Sequence, residues 1–196
     1  MHRKLNIMTL VLSFFSLPFF SLEISIDGKL DESIWNDADE YTKYYESLPF
    51  TLNEPKDYQK VLILEDENGI YLGFVNEQAK ETVRANKHER DDEMSNTDKA
   101  GLAIDFDGDG LTAYAFTVSA SGSISDGIYR NENEVNYDWD ADWKSAVFID
   151  DDFWYVEMFI PWSIAPMKAV KGEFREVKLS FWRLLAAEWR VNTSIK

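Results

Sequence analysis

The run Tyr137-Asp138-Trp139-Asp140-Ala141-Asp142-Trp143 places flat aromatic rings next to carboxylates. Pyranose rings stack their apolar C–H faces on such rings, and their hydroxyls bond to Asp, Asn, Arg and Gln side chains. In an extended backbone Trp139 and Trp143 lie on one side, with Tyr137 beside them. We therefore predict Tyr137, Trp139 and Trp143 as sugar-contacting residues. A core position at the start of a strand is the alternative for Trp143, whereas carboxylates flank Trp139 on both sides and favour its exposure.

A second chemistry-bearing pattern is the acidic turn at Asp105, Asp107 and Asp109, followed by Gly110. Alternating carboxylates form the front half of a calcium loop, because they bring hard oxygen ligands to one ion. The twelfth position of such a loop, which requires a bidentate Glu, is occupied by Phe116. This is therefore not an EF-hand. Calcium at the turn is one interpretation, and a turn formed by Asp and Gly without metal is the other.

No pattern in this chain points to catalysis. His88 is the sole histidine beyond His2, and no serine lies in the glycine pattern of a nucleophile elbow. Glycoside hydrolysis requires two carboxylates in a cleft, but 36 acidic residues provide such pairs by abundance alone. The chain contains no cysteine, which excludes thiol catalysis and zinc-thiolate sites within it. We therefore predict a binding protein without catalytic activity.

The composition describes an acidic globular chain. It has 196 residues, 36 Asp and Glu against 20 Lys and Arg, and a net charge of −16. That charge argues against nucleic acid as a partner, because phosphate contacts require clustered Lys and Arg. The length favours one domain, and the 15% aromatic share argues against disorder.

The first residues predict export. His2, Arg3 and Lys4 form a basic start, and no charge occurs from Leu5 to Leu22. This is the composition of a secretory signal peptide, so we expect residues 1–21 to be a signal and residues 22–196 to be the exported domain. An uncleaved membrane anchor is the alternative, because Phe19 occupies a position before the expected cut that normally holds a small side chain. Either way we expect a periplasmic, cell-surface or secreted protein.

Hydrophobic alternation between turn residues predicts an all-β domain. The predicted strands cover residues 60–65, 70–75, 99–105, 111–119, 124–129, 143–149, 153–160 and 177–184. We expect them to form an antiparallel two-sheet β-sandwich, jelly-roll-like, with one short N-terminal helix capped by Asp31. The polar segment 76–97 is predicted to be mobile or a binding loop. Glu157, if buried, requires a partner such as Arg175 or Arg183.

Several of these motifs, taken in order, resemble carbohydrate-binding module family 9 over about residues 24–184. They are Ile26-Asp27-Gly28-Lys29-Leu30-Asp31-Glu32 with Trp35, Tyr71-Leu72-Gly73-Phe74, Arg90-Asp91, Asp98, Asp105 with Ala113-Tyr114 and Phe116, Trp139-Asp140-Ala141 with Trp143, and Glu157 with Ile160-Pro161. The resemblance implies a monomeric, non-catalytic module that holds a polysaccharide or oligosaccharide for a hydrolase or outer-membrane partner. It also implies structural calcium, which we assign to Asp105, Asp107 and Asp109. We predict that Arg90, Asp91 and Asp98 provide polar sugar contacts.

Two other classes of protein are consistent with the sequence, a docking module and a haem-binding domain. Similar modules precede a long barrel segment in outer-membrane proteins, so this chain is either free-standing or a truncated copy that serves as a docking module. The same sandwich is shared by haem-binding domains of the DOMON superfamily, which use Met with His or Lys as axial ligands. Here the candidate ligands are His88, Met94, Met158 and Met167.

Overall fold

The computed structural model describes residues 23–92, 95–130, 134–169 and 174–194. The strands within these residues are β1 (Asp39–Tyr41), β2 (Tyr45–Leu48), β3 (Gln59–Glu65), β4 (Gly69–Glu77), β5 (Lys99–Asp105), β6 (Tyr114–Ser119), β7 (Ile124–Arg130), β8 (Glu134–Asn136), β9 (Lys144–Ile149), β10 (Phe153–Pro161), β11 (Lys178–Leu185) and β12 (Arg190–Thr193). Three short 3-10 helices cover Ser33–Asp37, Lys80–Thr82 and Trp162–Ile164.

The strands form two antiparallel sheets. One sheet has the order β1-β3-β4-β10-β9, and the other has the order β2-β12-β11-β5-β6-β7-β8. Sequential hairpins account for many of the pairings, as expected when short turns join antiparallel strands. The predicted antiparallel two-sheet β-sandwich is therefore confirmed. Strands β2 and β8 are the opposite edges of the larger sheet, and this places the segments before β2 and after β8 far apart.

The core lies between the two sheets, where the apolar sides of the strands face each other. Alternation along β10 buries Trp154, Val156, Met158 and Ile160, as the sequence pattern predicts. Removing such side chains from water is the main favourable contribution to folding. The core therefore accounts for most of the apolar alternation in the sequence.

A second apolar cluster covers the outer face of the smaller sheet. Trp35 packs there with Leu62 and Tyr71, and the preceding N-terminal segment adds Ile26 and Leu30. The predicted N-terminal helix is the 3-10 helix Ser33–Asp37, but the expected cap at Asp31 is wrong. Glu32 occupies the cap position, and its carboxylate instead accepts hydrogen bonds from Ser25 N and Trp35 Nε1. The helix is therefore held by tertiary contacts of Trp35 and Glu32.

The predicted signal segment, residues 1–21, lies outside the described residues. Within the part of the chain that the structure describes, no helix has the length and apolarity needed to cross a bilayer.

Candidate functional site

The two tryptophans predicted to stack on sugar lie on the same side of the chain, but that side faces the core. Trp143 is 7% exposed, and its ring packs edge-on against Phe116 with ring centroids 5.3 Å apart. Trp139 is half-buried and contacts Tyr114 and Phe116 at 4.9 and 6.1 Å. Tyr137 is also half-buried. The stacking role assigned to Trp143 is therefore corrected, because an indole enclosed by the core offers no face to a sugar.

Arg90 and Asp91 lie beside this segment and hold it in place. Arg90 forms ion pairs with Asp126 and with Asp140, the latter at 3.0 Å, and it donates a hydrogen bond to the carbonyl of Ala141. Oδ1 of Asp91 accepts the backbone N–H of Asp126. Burial raises the pKa of Asp126, an effect opposed by the N–H of Ala141 and by the Arg90 guanidinium. The charges of Arg90 and Asp91 therefore connect β7 to the residues after β8.

Asp98 is fully buried. Its Oδ2 accepts hydrogen bonds from Gln78 Nε2 and Arg84 N at 2.8 Å each, and its Oδ1 accepts one from Ala186 N at 2.7 Å. The carboxylate thus joins the start of β5, the connection after β4 and the end of β11. The predicted sugar contact at Asp98 is corrected, because these three donors occupy both oxygens and no surface remains for a ligand.

Two basic side chains form ion pairs with the acidic turn that was predicted to hold calcium. Asp109 pairs with Lys168, and Asp107 pairs with Arg175 at 2.8 Å. The hydrogen bond from Lys168 holds the pKa of Asp109 below its ordinary value. Asp105 accepts the backbone N–H groups of Asp107 and Gly110. Among the described residues, no three acidic or histidine side chains converge as a metal site. Calcium at Asp105, Asp107 and Asp109 therefore stays a prediction, and the two ion pairs count against it.

The candidate haem ligands lie in different parts of the sandwich. The backbone N–H of His88 bonds to Ser123, near the turn between β6 and β7, and its Nδ1 lies 2.9 Å from the carbonyl of Glu89. Met158 lies in the middle of β10 in the other sheet, where it is fully buried. Met94 is outside the described residues.

A pocket that the sequence analysis missed opens at the opposite edge of the sandwich, where the chain enters β2 and β3. Its cavity volume is about 440 Å³, within the range typical of small-molecule sites. The lining combines three tyrosines with carboxylates, an ammonium and an amide: Thr42, Lys43, Tyr44, Tyr45, Glu54, Pro55, Asp57, Tyr58 and Gln59. Tyr58 is 47% exposed, whereas Tyr44 is buried. Rings and polar groups of this kind are what a sugar requires.

Polar side chains continue inward from this pocket between the sheets. Gln59 accepts a hydrogen bond from Asn192 Nδ2 at 3.3 Å, and both residues are buried. Arg190 is also buried and is surrounded by the carboxylates of Asp57, Glu46 and Glu188. The pocket therefore borders a polar region of the interior, unlike the apolar middle of the sandwich.

Arg183 lies in the same region, directly opposite Asn192 in the pairing of β11 with β12. Its Nη2 donates to the carbonyl of Glu77 and to Gln78 Oε1, and its guanidinium lies 6.0 Å from the ring of Trp154. Burial lowers the pKa of Arg183 to about 10. Arg183 and pocket residues Tyr44 and Asp57 interact electrostatically, which connects this cation to the pocket.

Sequence reasoning missed this pocket because its walls come from short segments without a strand pattern. Strands β2 and β12 have four residues each and contain Glu46 and Arg190, which break any apolar alternation. One signal was present: tyrosines recur among polar residues over 41–58.

The fold is that of known sugar-binding domains. No protein-family model and no curated protein matches the chain. Among solved structures, it is similar to a family 9 carbohydrate-binding module from Caldicellulosiruptor kristjanssonii in complex with cellotriose, with 16% identity, a TM-score of 0.56, and coverage of 87% of this chain and 78% of that one. The complex of such a module from the same organism with glucose gives 16% identity and a TM-score of 0.58, with 87% and 80% coverage.

A protein from Bacteroides uniformis, provisionally named carbohydrate-binding, is similar at 14% identity and a TM-score of 0.60, with 81% and 77% coverage. At these identities the likeness concerns the fold. The chain is therefore a β-sandwich domain with the fold of carbohydrate-binding module family 9, as the sequence motifs indicated. Its function has to be argued from its own residues.

Proposed function

We propose that this protein is a non-catalytic carbohydrate-binding module that takes its sugar in the pocket before β2 and β3. The observation that carries the proposal is the lining of the pocket, in which Tyr44, Tyr45 and Tyr58 lie beside Asp57 and Gln59. Tyrosine rings offer faces for the apolar side of a pyranose, and the carboxylate and amide accept and donate hydrogen bonds to its hydroxyls. A cavity of about 440 Å³ has room for one or two sugar units.

The structural neighbours support this proposal. Two structures with the same fold are complexes with cellotriose and with glucose. We further propose that the sugar is the end or a branch of a polysaccharide, because a pocket encloses a terminal unit more readily than the middle of a chain. The basic start and apolar stretch of residues 2–22 support a role outside the cytoplasm, alongside a hydrolase or an outer-membrane partner.

The test is a binding titration with a panel of mono- and oligosaccharides, starting with glucose and cellotriose. The variant Tyr58→Ala removes a half-exposed ring at the pocket, and we expect it to weaken binding about tenfold while the protein stays folded. Tyr58→Phe, which keeps the ring, serves as the matched variant and is expected to retain most of the affinity.

The variant Trp139→Ala separates this pocket from the region first predicted from sequence. We expect folded Trp139→Ala to bind as the wild type does, because Trp139 lies at the other edge of the sandwich. Loss of binding in Trp139→Ala with retention in Tyr58→Ala would move the site to residues 137–143. Absence of binding to every sugar by a folded protein would contradict the proposed function.

A docking module is the second candidate, and one feature favours it. Leu48, Phe50 and Trp189 are 48%, 78% and 64% exposed, and Leu48 pairs with Val191 at the end of the β2–β12 ribbon. Exposed apolar residues grouped in this way are typical of protein contacts. A folded protein that binds no sugar, but loses capture of a hydrolase or envelope protein when Phe50 and Trp189 are replaced by Ser, would favour docking.

A further inference from the structure

The polar region behind the pocket holds hydrogen-bonding groups that the protein itself leaves unmatched. In the described part of the chain, ten buried side-chain nitrogen and oxygen atoms have no hydrogen-bond partner, and six of them belong to four neighbouring residues. These atoms are Gln59 Nε2, Asn192 Oδ1, and Nε and Nη1 of both Arg183 and Arg190. Of these, Arg190 Nη1 has an ion-pair partner, since it lies 3.5 Å from Glu46 Oε1. Buried polar groups are normally paired, so such a concentration indicates a place where a ligand completes the bonding.

The unmatched atoms are mostly donors. The bonded pair of Gln59 and Asn192 leaves one amide donor and one acceptor unmatched, while the two guanidinium groups add only donors. A ligand that satisfies this region must therefore bring more acceptors than donors. A carboxylate does so, since it has two acceptor oxygens and no hydrogen, whereas each sugar hydroxyl brings a donor along with its acceptor.

The charges distinguish Arg183 from its neighbour Arg190. Arg190 has three carboxylates within 4.0 Å, those of Glu46, Asp57 and Glu188. Arg183 is equally enclosed, with 1% of its surface exposed, yet no carboxylate of the described residues lies within ion-pair distance of it. The carboxylates of Asp57 and Asp98 act on Arg183 only from beyond that distance. A buried guanidinium without a direct ion pair is costly, because it has left water without an opposite charge in contact.

Arg183 does not itself line the pocket, but two residues connect it to the lining. Gln59 lines the pocket and bonds to Asn192, and Asn192 is the direct cross-strand neighbour of Arg183. Paired residues in antiparallel strands have side chains about 5 Å apart. The carboxylates of Glu54 and Asp57, nearer the pocket lining, are suited to accept sugar hydroxyls rather than to meet an anion.

On the basis of the proposed sugar-binding function, we propose that the ligand of this pocket is an acidic sugar, a uronic acid or an oligosaccharide ending in one, whose carboxylate binds Arg183. The hydroxyls then face the tyrosines and carboxylates of the pocket lining, and the carboxylate points inward. This arrangement supplies Arg183 with a carboxylate in direct contact. Glu54 and Asp57 repel every anion, the acidic sugar included, so contacts with the tyrosine rings have to offset that repulsion, and a simple inorganic anion makes no such contacts.

The test compares glucuronate with glucose, and galacturonate with galactose, by titration calorimetry at neutral pH. We expect each acid to bind about tenfold more tightly than its neutral counterpart, because a charge-assisted bond replaces a neutral one. In Arg183→Met this preference should disappear while the weaker binding of the neutral sugar persists. Arg175→Met is the charge-matched control, since Arg175 bonds at Phe106 and Asp107, beyond the other end of β5, and it should keep the preference.

Thermal unfolding separates a ligand-binding cation from a structural one. Arg183→Met removes a buried charge, but it also removes the donor to the Glu77 carbonyl and to Gln78 Oε1, so we expect the unliganded variant to melt close to the wild type. If Arg183→Met does not fold, Arg183→Lys, which keeps the charge and shortens the reach, is used and should lose most of the acid preference. Equal affinity for neutral and acidic sugars overturns the acidic-sugar inference but leaves the proposed function standing. Binding of no sugar at all overturns both.

Discussion

The backbone N–H of Gly28 donates a hydrogen bond of 3.0 Å to Oε2 of Glu157, a residue 129 positions further along the chain. The N–H of Asp27 donates to the same oxygen at 2.8 Å. Glu157 is fully buried on β10, so these two bonds hold the N-terminal segment onto the smaller sheet. The prediction that Arg175 or Arg183 is its partner is wrong. The carboxylate of Glu157 accepts hydrogen bonds from two backbone amides instead, while Arg175 pairs with Asp107.

Gly28 is expected to tolerate no side chain. Its φ is +90°, and a Cβ there would lie 2.6 Å from the carbonyl carbon of Val147. We expect Gly28→Ala to lower the free energy of unfolding by about 3 kcal/mol, from backbone strain and overpacking together. Urea denaturation followed by tryptophan fluorescence measures this. Gly122→Ala is the control: its φ is +81° with no atom within 4 Å, so only the strain of about 1 kcal/mol remains.

Glu157 should make stability depend on pH. Burial raises the pKa of Glu157 to about 7 from an ordinary 4.5, despite the opposing hydrogen bonds from Gly28 and Asp27. The folded protein thus holds this proton more tightly than the unfolded chain does. The resulting stabilisation is complete below about pH 4.5 and is lost as the pH rises through about 7.

The size of this effect is about 2–3 kcal/mol, from a shift of this order. Glu157→Gln keeps the shape and the acceptor oxygen but does not titrate. We therefore expect the difference in unfolding free energy between the variant and the wild type to grow in favour of the variant between pH 4.5 and 8. Denaturation curves that run parallel over this range would show that Glu157 does not titrate there.

Asp98 is expected to be a structural residue. In Asp98→Asn one oxygen becomes an amide that faces an N–H donor from Gln78, Arg84 or Ala186, so we expect a loss of about 2–3 kcal/mol. Asp140→Asn makes the same charge change at an exposed ion pair and should cost less than about 0.5 kcal/mol. Thermal melts compare the two variants, and equal losses would contradict the structural role of Asp98.

Trp143 should contribute far more to stability than Trp139. Trp143 is buried against Phe116, so Trp143→Ala is expected to lower the free energy of unfolding by about 3–5 kcal/mol. Trp139 is half-buried, so Trp139→Ala should lower it by about half as much. Chemical denaturation of both variants gives the comparison. A folded Trp143→Ala of nearly wild-type stability would contradict its placement in the core.

Calcium at the acidic turn stays a prediction from sequence, and the ion pairs of Lys168 and Arg175 count against it. A calcium ion bound at 100 times its dissociation constant stabilises a protein by about 2.7 kcal/mol, which would raise the melting temperature by roughly 5–10 °C. We expect the wild-type melting temperature to change by less than about 1 °C between chelator and millimolar calcium. A rise of several degrees that Asp107→Asn abolishes would restore the calcium assignment.

Most of the long strands could be predicted because their signal is local. The hairpin of β3 and β4, for example, follows from two apolar runs around Asp66-Glu67-Asn68-Gly69. The short strands β1, β2, β8 and β12 were not predicted, since three or four residues are too few to show alternation. The predicted sugar contacts at Asp98 and Trp143 were wrong for a different reason: carboxylates and indoles occur both in surface sites and in the interior.

The sequence alone determined the β-sandwich, because alternation with period two and turn residues depends only on near neighbours along the chain. Tertiary structure decided which aromatic rings are enclosed and which border a cavity. Trp143 meets Phe116, and Gln59 meets Asn192 across 133 positions, only after the sheets have packed. Burial and partner choice are properties of that packing. The same packing decides the pocket and leaves Arg183 without a direct ion pair among the described residues.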